Sequence, residues 1–204
     1  DLDAVFLPNN ILVSPLNSPD RFLKEDYLLT ENQENIKTAV MEHIRTNTQG
    51  RFVGITGGPG TGKTLVVYDI ARELSTTMKV LLVHSGILCD GHFELNKQLD
   101  NIRIISAKSP ILIDNRQGRI ISAKELRLRE IRDVDIVIVD EAHRLYTESL
   151  EKVARWVKRA KTICLFSYDG GQTLSASENR RRTSDAIDVL CENNIYKLTN
   201  KIRT

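Results

Sequence analysis

Cysteine is scarce in this chain of 204 residues: Cys89, Cys164 and Cys191 are the only three. Thiols so few and so scattered exclude a disulfide scaffold and a zinc cluster of the usual spacing. Aromatic residues amount to 5%. Charge of one sign is missing as well. Lys and Arg total 29 against 27 for Asp and Glu, a net charge of +2, which permits a nucleic-acid partner and demands none. No apolar run approaches the roughly 18 residues of a membrane span. The longest, such as Val80 to Val83 and Ile136 to Val139, are about strand length, so a cytoplasmic protein is expected. The start, Asp1-Leu2-Asp3, has no initiator Met and no basic targeting segment. The chain stops at Ile202-Arg203-Thr204, directly after a predicted strand. Both ends lead us to expect a piece of a longer protein.

What is present is an ordinary globular balance, 41% hydrophobic and 27% charged, which argues against extended disorder. The length suits one well-buried core. Residues 1–28 hold Pro8, Pro15 and Pro19 and read as an irregular lead-in with at most one small element. From residue 29 to 204 strand and helix patterns alternate. Thr30 and Gln33 form a capping box ahead of Ile36, Ala39, Val40 and Ile44 at helical spacing. Strands are predicted at 51–56, 79–84, 102–106, 135–140, 162–167 and 194–198. Helices are predicted at 62–74, 91–99, 148–161 and 173–191. The six residues Arg103–Lys108 recur as Arg119–Lys124, too short an echo for a repeat architecture. Ser122 and Glu125 suggest a further helix start. The central strands lack a polar face, as strands do when crossover helices cover both sides of a parallel sheet. The expected fold is a three-layer α/β domain around a mostly parallel sheet.

The sharpest motif is Gly57-Gly58-Pro59-Gly60-Thr61-Gly62-Lys63-Thr64. It fits G-x-x-x-x-G-K-[ST], the Walker A pattern, in full, and sits between a predicted strand and a predicted helix. Glycines let successive backbone N–H groups converge on one phosphate, and the helix that follows adds its free N–H groups. Lys63 is expected at the β- and γ-phosphates and the Thr64 hydroxyl on Mg2+. Leu65 completes the segment expected to touch the nucleotide. A second motif, Asp140-Glu141-Ala142-His143, ends the apolar strand Ile136–Val139. Carboxylates at the end of a buried strand are costly without a task, and active sites of open α/β sheets lie at that strand end. Asp140 is expected to hold Mg2+ through its water shell, and Glu141 to polarise the attacking water. Two readings of His143 stand, a link from the nucleotide site to a neighbouring motif or a local hydrogen bond. Together the motifs predict an NTP-hydrolysing enzyme. No Asn-Lys-x-Asp segment supports a GTPase, and a small-molecule kinase has no need of a water activator.

Three more segments narrow the class: Leu29-Thr30-Glu31-Asn32-Gln33, Ser167-Tyr168-Asp169-Gly170-Gly171-Gln172 and Leu198-Thr199-Asn200-Lys201-Ile202-Arg203. In this order they resemble the first RecA-like motor domain of superfamily 1 DNA/RNA helicases. The similarity is greatest to the bacterial predicted ATPases related to Schlafen-type helicase domains, and it covers residues 29–204. The resemblance implies that Gln33 reads adenine, although the residue types alone leave a helix-capping role equally open. It implies that Gln172 senses the γ-phosphate, that Asp169 supports the magnesium or water network, and that Arg203 contacts the γ-phosphate. Tyr168 departs from the family's glycine at that place. His84 and Ser85 correspond to the start of a nucleic-acid contact surface.

The implied cofactors are ATP and Mg2+. The implied partners are single-stranded DNA or RNA and a second motor domain of the same parent chain, without which nucleotide binding and turnover should be weak. From Arg116 to Arg132 six basic side chains face two acidic ones, and Arg180-Arg181-Arg182 forms a second patch. Either is explained by phosphate contact or by a solvated helix face, and few aromatics interleave to make a stacking platform. Trp156, beside Val157, reads as partial core. Two other functions remain on the sequence: a regulatory ATPase gating an attached effector, for example in antiviral defence, and a catalytically idle interaction module.

Overall fold

The computed structural model describes residues 13–46, 50–107, 134–170 and 178–199, with side chains of the last stretch described from residue 183. Among them run α1 (Pro19–Leu23), α2 (Glu31–Thr46), β1 (Phe52–Gly57), α3 (Lys63–Ser75) and β2 (Val80–His84). Then follow α4 (Asp90–Gln98), β3 (Ile102–Ser106), β4 (Ile136–Asp140), a 3-10 turn (Ala142–Arg144), α5 (Thr147–Ala160), β5 (Ile163–Tyr168), α6 (Glu178–Cys191) and β6 (Ile195–Leu198). Most expected elements recur within a residue or two. The helix expected from 173 is described from Glu178, and its first expected residues lie outside the described stretch. The basic run Arg116–Arg132, the second copy of the six-residue echo, Gln172 and Arg203 also lie outside it.

The strands form one six-stranded sheet in the order β3-β2-β4-β5-β1-β6, with every pairing parallel. Alternation along each strand feeds two cores. Ile136 and Ile138 join the cluster under α2, α3 and α4, while Val137 and Val139 join the cluster under α5 and α6. Val80 and Leu82 divide from Leu81 and Val83 in the same way. This two-sided burial is why the central strands read as unbroken apolar runs. The three-layer α/β fold expected from the sequence is therefore the observed one.

Each layer forms for local reasons. The capping box of α2 is in place: the Gln33 N–H donates to Thr30 Oγ1 at 3.3 Å, and the Thr30 N–H to Gln33 Oε1 at 2.9 Å. On α5 the residues Leu150, Val153, Ala154 and Val157 make one buried stripe, with Trp156 partly buried against the same core. The helix closes on Lys161 in the left-handed conformation, φ 58°. In the lead-in the described residues hold one small helix, α1. From Val13 onward the lead-in packs into the first core through Val13 and Phe22, and Pro19 opens α1, where its missing N–H costs nothing.

Candidate nucleotide site

Parallel strands deliver their carboxyl ends to one edge of the sheet. There β1 runs into the glycine-rich loop, β4 ends at Asp140, and β5, lying between them, ends at Tyr168 and Asp169. Gly60 and Gly62 take φ values of 78° and 79°, left-handed backbone that suits glycine alone at little cost. These turns reverse the chain so that α3 starts at Lys63 with its free N–H groups facing the strand ends. The loop and the acidic pair line one cavity of about 410 Å3, with Lys63 and Thr64 on one wall and Asp140 and Glu141 on another.

Lys63 is folded back on its own loop. Its ammonium donates to the Gly57 carbonyl at 2.6 Å and to the Gly58 carbonyl at 2.9 Å. Burial pushes its pKa down, opposed by the charges of Asp169, Asp140 and Glu141. Phosphate oxygens can replace those two carbonyls without any movement of the backbone that carries the lysine.

Asp140 is 1% exposed. Its Oδ1 accepts the Glu141 N–H at 3.0 Å, while Oδ2 has no hydrogen-bond partner among the described residues and lies 3.4 Å from His84 Nδ1. A buried carboxylate oxygen without a hydrogen-bond donor, on a residue that lines the same cavity as Thr64, suits a hard cation. Among the described residues no three His, Cys, Asp or Glu side chains group around a metal position.

Glu141 follows in a left-handed conformation, φ 53°, uncommon for a residue with a side chain. Arg144 pairs with its Oε2 at 2.9 Å. His143 Nδ1 accepts the Asp169 N–H at 3.2 Å, and burial pushes its pKa down, so the ring is the neutral acceptor this bond needs. The two readings of His143 merge, because the bond that satisfies it joins the β4 turn to the β5 turn.

Gln33 also does two things. It is 1% exposed. Besides capping α2 it donates from Nε2 to the Thr61 carbonyl at 3.1 Å, holding the phosphate loop from behind. Tyr168, the departure from the family's glycine, is buried, and its hydroxyl donates to Asp188 Oδ1 on α6 at 2.5 Å. His84 and Ser85, which correspond to the start of the resemblance's nucleic-acid contact surface, lie beside the acidic strand. The Ser85 N–H and hydroxyl both donate to the Asp140 carbonyl, at 3.2 and 2.8 Å. Sequence reasoning missed Ser167, whose buried hydroxyl has no partner among the described residues and which lines the cavity. It missed residues 13–17, which line it too; the prolines of the lead-in were the only signal there.

Comparison with known proteins gives the same picture at fold level. Among solved structures, the Pif1 helicase from Candida albicans superposes with a TM-score of 0.53 at 17% identity, over 85% of this chain and 40% of that one. Pif1 in a structure of DNA unwinding at forked duplex DNA gives 0.53 at 15%, over 85% and 44%. A DNA replication initiation factor gives 0.52 at 15%, over 85% and 48%. This chain thus spans less than half of each. No curated protein sequence matches. No described helix is long and apolar enough to cross a membrane. The family model of the Schlafen group 3 DNA/RNA helicase domain matches residues 51–204. With the glycine-rich loop and the acidic strand end meeting in one cavity of a parallel sheet, and with that match over most of its length, this chain belongs to the Schlafen group 3 DNA/RNA helicase domain family, as a RecA-like P-loop domain related to superfamily 1 helicases.

Proposed function

We propose that residues 29–204 form the first motor domain of a helicase or translocase of the bacterial Schlafen-related branch, which hydrolyses ATP while engaged on single-stranded DNA or RNA. The observation that carries this reading is the meeting of Lys63 and Thr64 with Asp140 and Glu141 around one cavity. Lys63 exchanges the Gly57 and Gly58 carbonyls for phosphate oxygens, and the loop N–H groups hold the triphosphate with it. Thr64 and Asp140 would hold Mg2+, which would supply positive charge against the phosphates. Glu141 orients the attacking water and takes its proton, so the γ-phosphoryl group leaves in line from the β-phosphate oxygen. The His143–Asp169 bond keeps the two turns that border the reacting end in register. Gln33 reads adenine by giving up one of its two present bonds. Gln172 and Arg203 complete the γ-phosphate contacts, and a second lobe of the parent chain closes the site.

The basic stretches at 116–132 and 180–182 are the proposed nucleic-acid surface. The family's helicase name and the likeness to Pif1 support a nucleic-acid substrate, and the relation between 116–132 and backbone phosphates is electrostatic and independent of base sequence.

Two substitutions test the chemistry. Lys63→Ala should remove most nucleotide binding, by roughly a hundredfold or more, because it deletes the ammonium together with its charge-assisted hydrogen bonds to phosphate; calorimetry reads the change. Glu141→Gln should keep ATP binding and stop turnover, read as phosphate release. Equal turnover in that variant shows the base to be elsewhere. Stimulation of phosphate release by single-stranded DNA or RNA in the intact parent chain separates a motor from a regulatory ATPase, which would hydrolyse without stimulation.

A further inference from the structure

Residues 13–17 carry no motif and no charged side chain, yet they line the nucleotide cavity together with Lys63, Thr64 and Asp140. Their position is built from both sides. Within the segment, Val13 and Pro15 are buried. The Asn17 N–H donates to Ser14 Oγ at 3.3 Å and the Ser18 N–H to the Ser14 carbonyl at 2.9 Å, closing a tight turn. Behind the turn, Phe22 stacks on Tyr27 with ring centroids 5.3 Å apart. Arg72 of α3 lies 5.9 Å over the Phe22 ring and bonds Glu25 at 2.5 Å, and the Tyr27 hydroxyl donates to Asp69 of α3. The chain that directly follows the strap is thus fastened to the helix whose first residues are Lys63 and Thr64.

In front, the strap lies on α4. A Cβ built at Gly91 would overlap the Leu16 carbonyl oxygen and stand 2.6 Å from its carbonyl carbon and 2.7 Å from its Cα. Backbone this close tolerates only glycine at the facing position. This contact also places the strap along the cavity. On the proposed reading of Gln33 as the adenine-reading residue, the base end lies toward the Gln33–Thr61 bond, with α2 packed toward the β6 edge. Helix α4 follows β2, on the other side of β4, and β2 ends with His84 in register with Asp140. The strap therefore borders the metal–phosphate end.

We propose that the strap of residues 13–17 positions the terminal phosphate of the bound nucleotide and so makes the site prefer a nucleoside triphosphate to a diphosphate. This rests on reading the cavity as an ATP site and extends it. A wall at the γ-phosphate end touches a triphosphate and leaves untouched a diphosphate held by the same loop, so its contribution is differential. The segment also keeps bulk water from the end where the attacking water must be singled out.

The test is Gly91→Ala in the full chain. Alanine favours helix, so α4 persists while the strap is displaced. Amide exchange at residues 14–18 should rise. The Kd for a non-hydrolysable ATP analogue with Mg2+ should rise about tenfold and that for ADP less than about twofold. A displaced strap with both affinities unchanged, or with both weakened equally, overturns the proposal. Should α4 lose helix or the strap stay protected, Asn17→Asp replaces it, setting a carboxylate on an exposed strap residue that lines the cavity. The same selective loss is expected, and an equal or absent loss is again fatal. Failure of the underlying reading looks different, because the unsubstituted protein would then bind neither nucleotide.

Discussion

The two helical layers of this domain are held in different ways. On the nucleotide side, α2, α3 and the lead-in share a charged knot. Asp69, 1% exposed, takes Lys37 at 2.7 Å, Arg72 at 3.0 Å and the Tyr27 hydroxyl. Glu73 joins through Lys37 at 3.1 Å and Arg45 at 3.0 Å. On the other side, α6 is held by apolar contacts and by hydroxyl bonds, Thr183 Oγ1 donating to the Leu145 carbonyl just before α5 at 2.9 Å and the Tyr168 hydroxyl of β5 to Asp188. A groove of about 650 Å3 opens between them, lined by Leu150, Ala154 and Leu190, with Val189 75% exposed at its rim. The difference teaches where orientation is controlled. Apolar contact is non-directional and tolerates sliding, whereas paired buried charges have few good geometries. The knot binds α3, the helix that begins at Lys63, to α2 and to Glu25 and Tyr27 of the lead-in, so the side that carries the glycine-rich loop is the side with directional bonds.

Breaking the knot should have the largest effect on stability. Burial alone would raise the Asp69 pKa, but hydrogen bonds from Lys37, Tyr27 and Arg72 and the Lys37 charge hold it below the usual carboxylate value. Asp69→Asn removes the charge and leaves Lys37 and Arg72 without it. A loss of about 3–4 kcal/mol is expected in urea unfolding, the lower part of the range for broken buried pairs because both cations keep some solvent access. A loss as small as that of a surface pair would make the two layers equivalent.

Acid should strain the same side through His92. Burial and the neighbouring His84 push its pKa down to about 4, against the pull of Asp140. The ring is 2% exposed, packed among His84, Tyr68 and Cys89. The unfolded chain binds this proton near pH 6.5 and the folded chain near 4. Stability from His92 is therefore complete above pH 6.5 and falls as pH drops through that window, by at most about 3 kcal/mol. Unfolding free energies measured from about pH 7 to 4 should show this slope, and His92→Asn should flatten it. An unchanged slope removes His92 as its source. The smallest effect sharpens the contrast from the other layer: Val189→Ser at the groove rim should change stability by no more than about 0.5 kcal/mol.

Much of this was legible in the residues. The apolar runs at 80–83 and 136–139 announced strands buried on both faces, because a strand with one wet face alternates. The glycine-rich loop and Asp140-Glu141 announced a phosphate site, because few other arrangements need those residue types between strand and helix. The Thr30–Gln33 box was readable because its partners are three residues apart. What escaped was non-local. Ser85 bonds a carbonyl 55 residues away, and its sequence neighbours announce no such partner. The Tyr27–Asp69 bond spans 42 residues, and nothing around Tyr27 marks it as a fastening point. Gly91 reads as an ordinary weak spot in a helix until Leu16 is seen against it.

The sequence by itself determined the layer architecture and the two halves of the phosphate site, since hydrophobic periodicity and short-range loop chemistry are properties of consecutive residues. Only the tertiary structure decided that Gln33 holds Thr61, that His143 joins the β4 and β5 turns, and that an unremarked N-terminal segment lines the same cavity as Lys63 and Asp140. Those are contacts between segments brought together by burial of the shared core, and the energy that selects them is distributed across the whole fold.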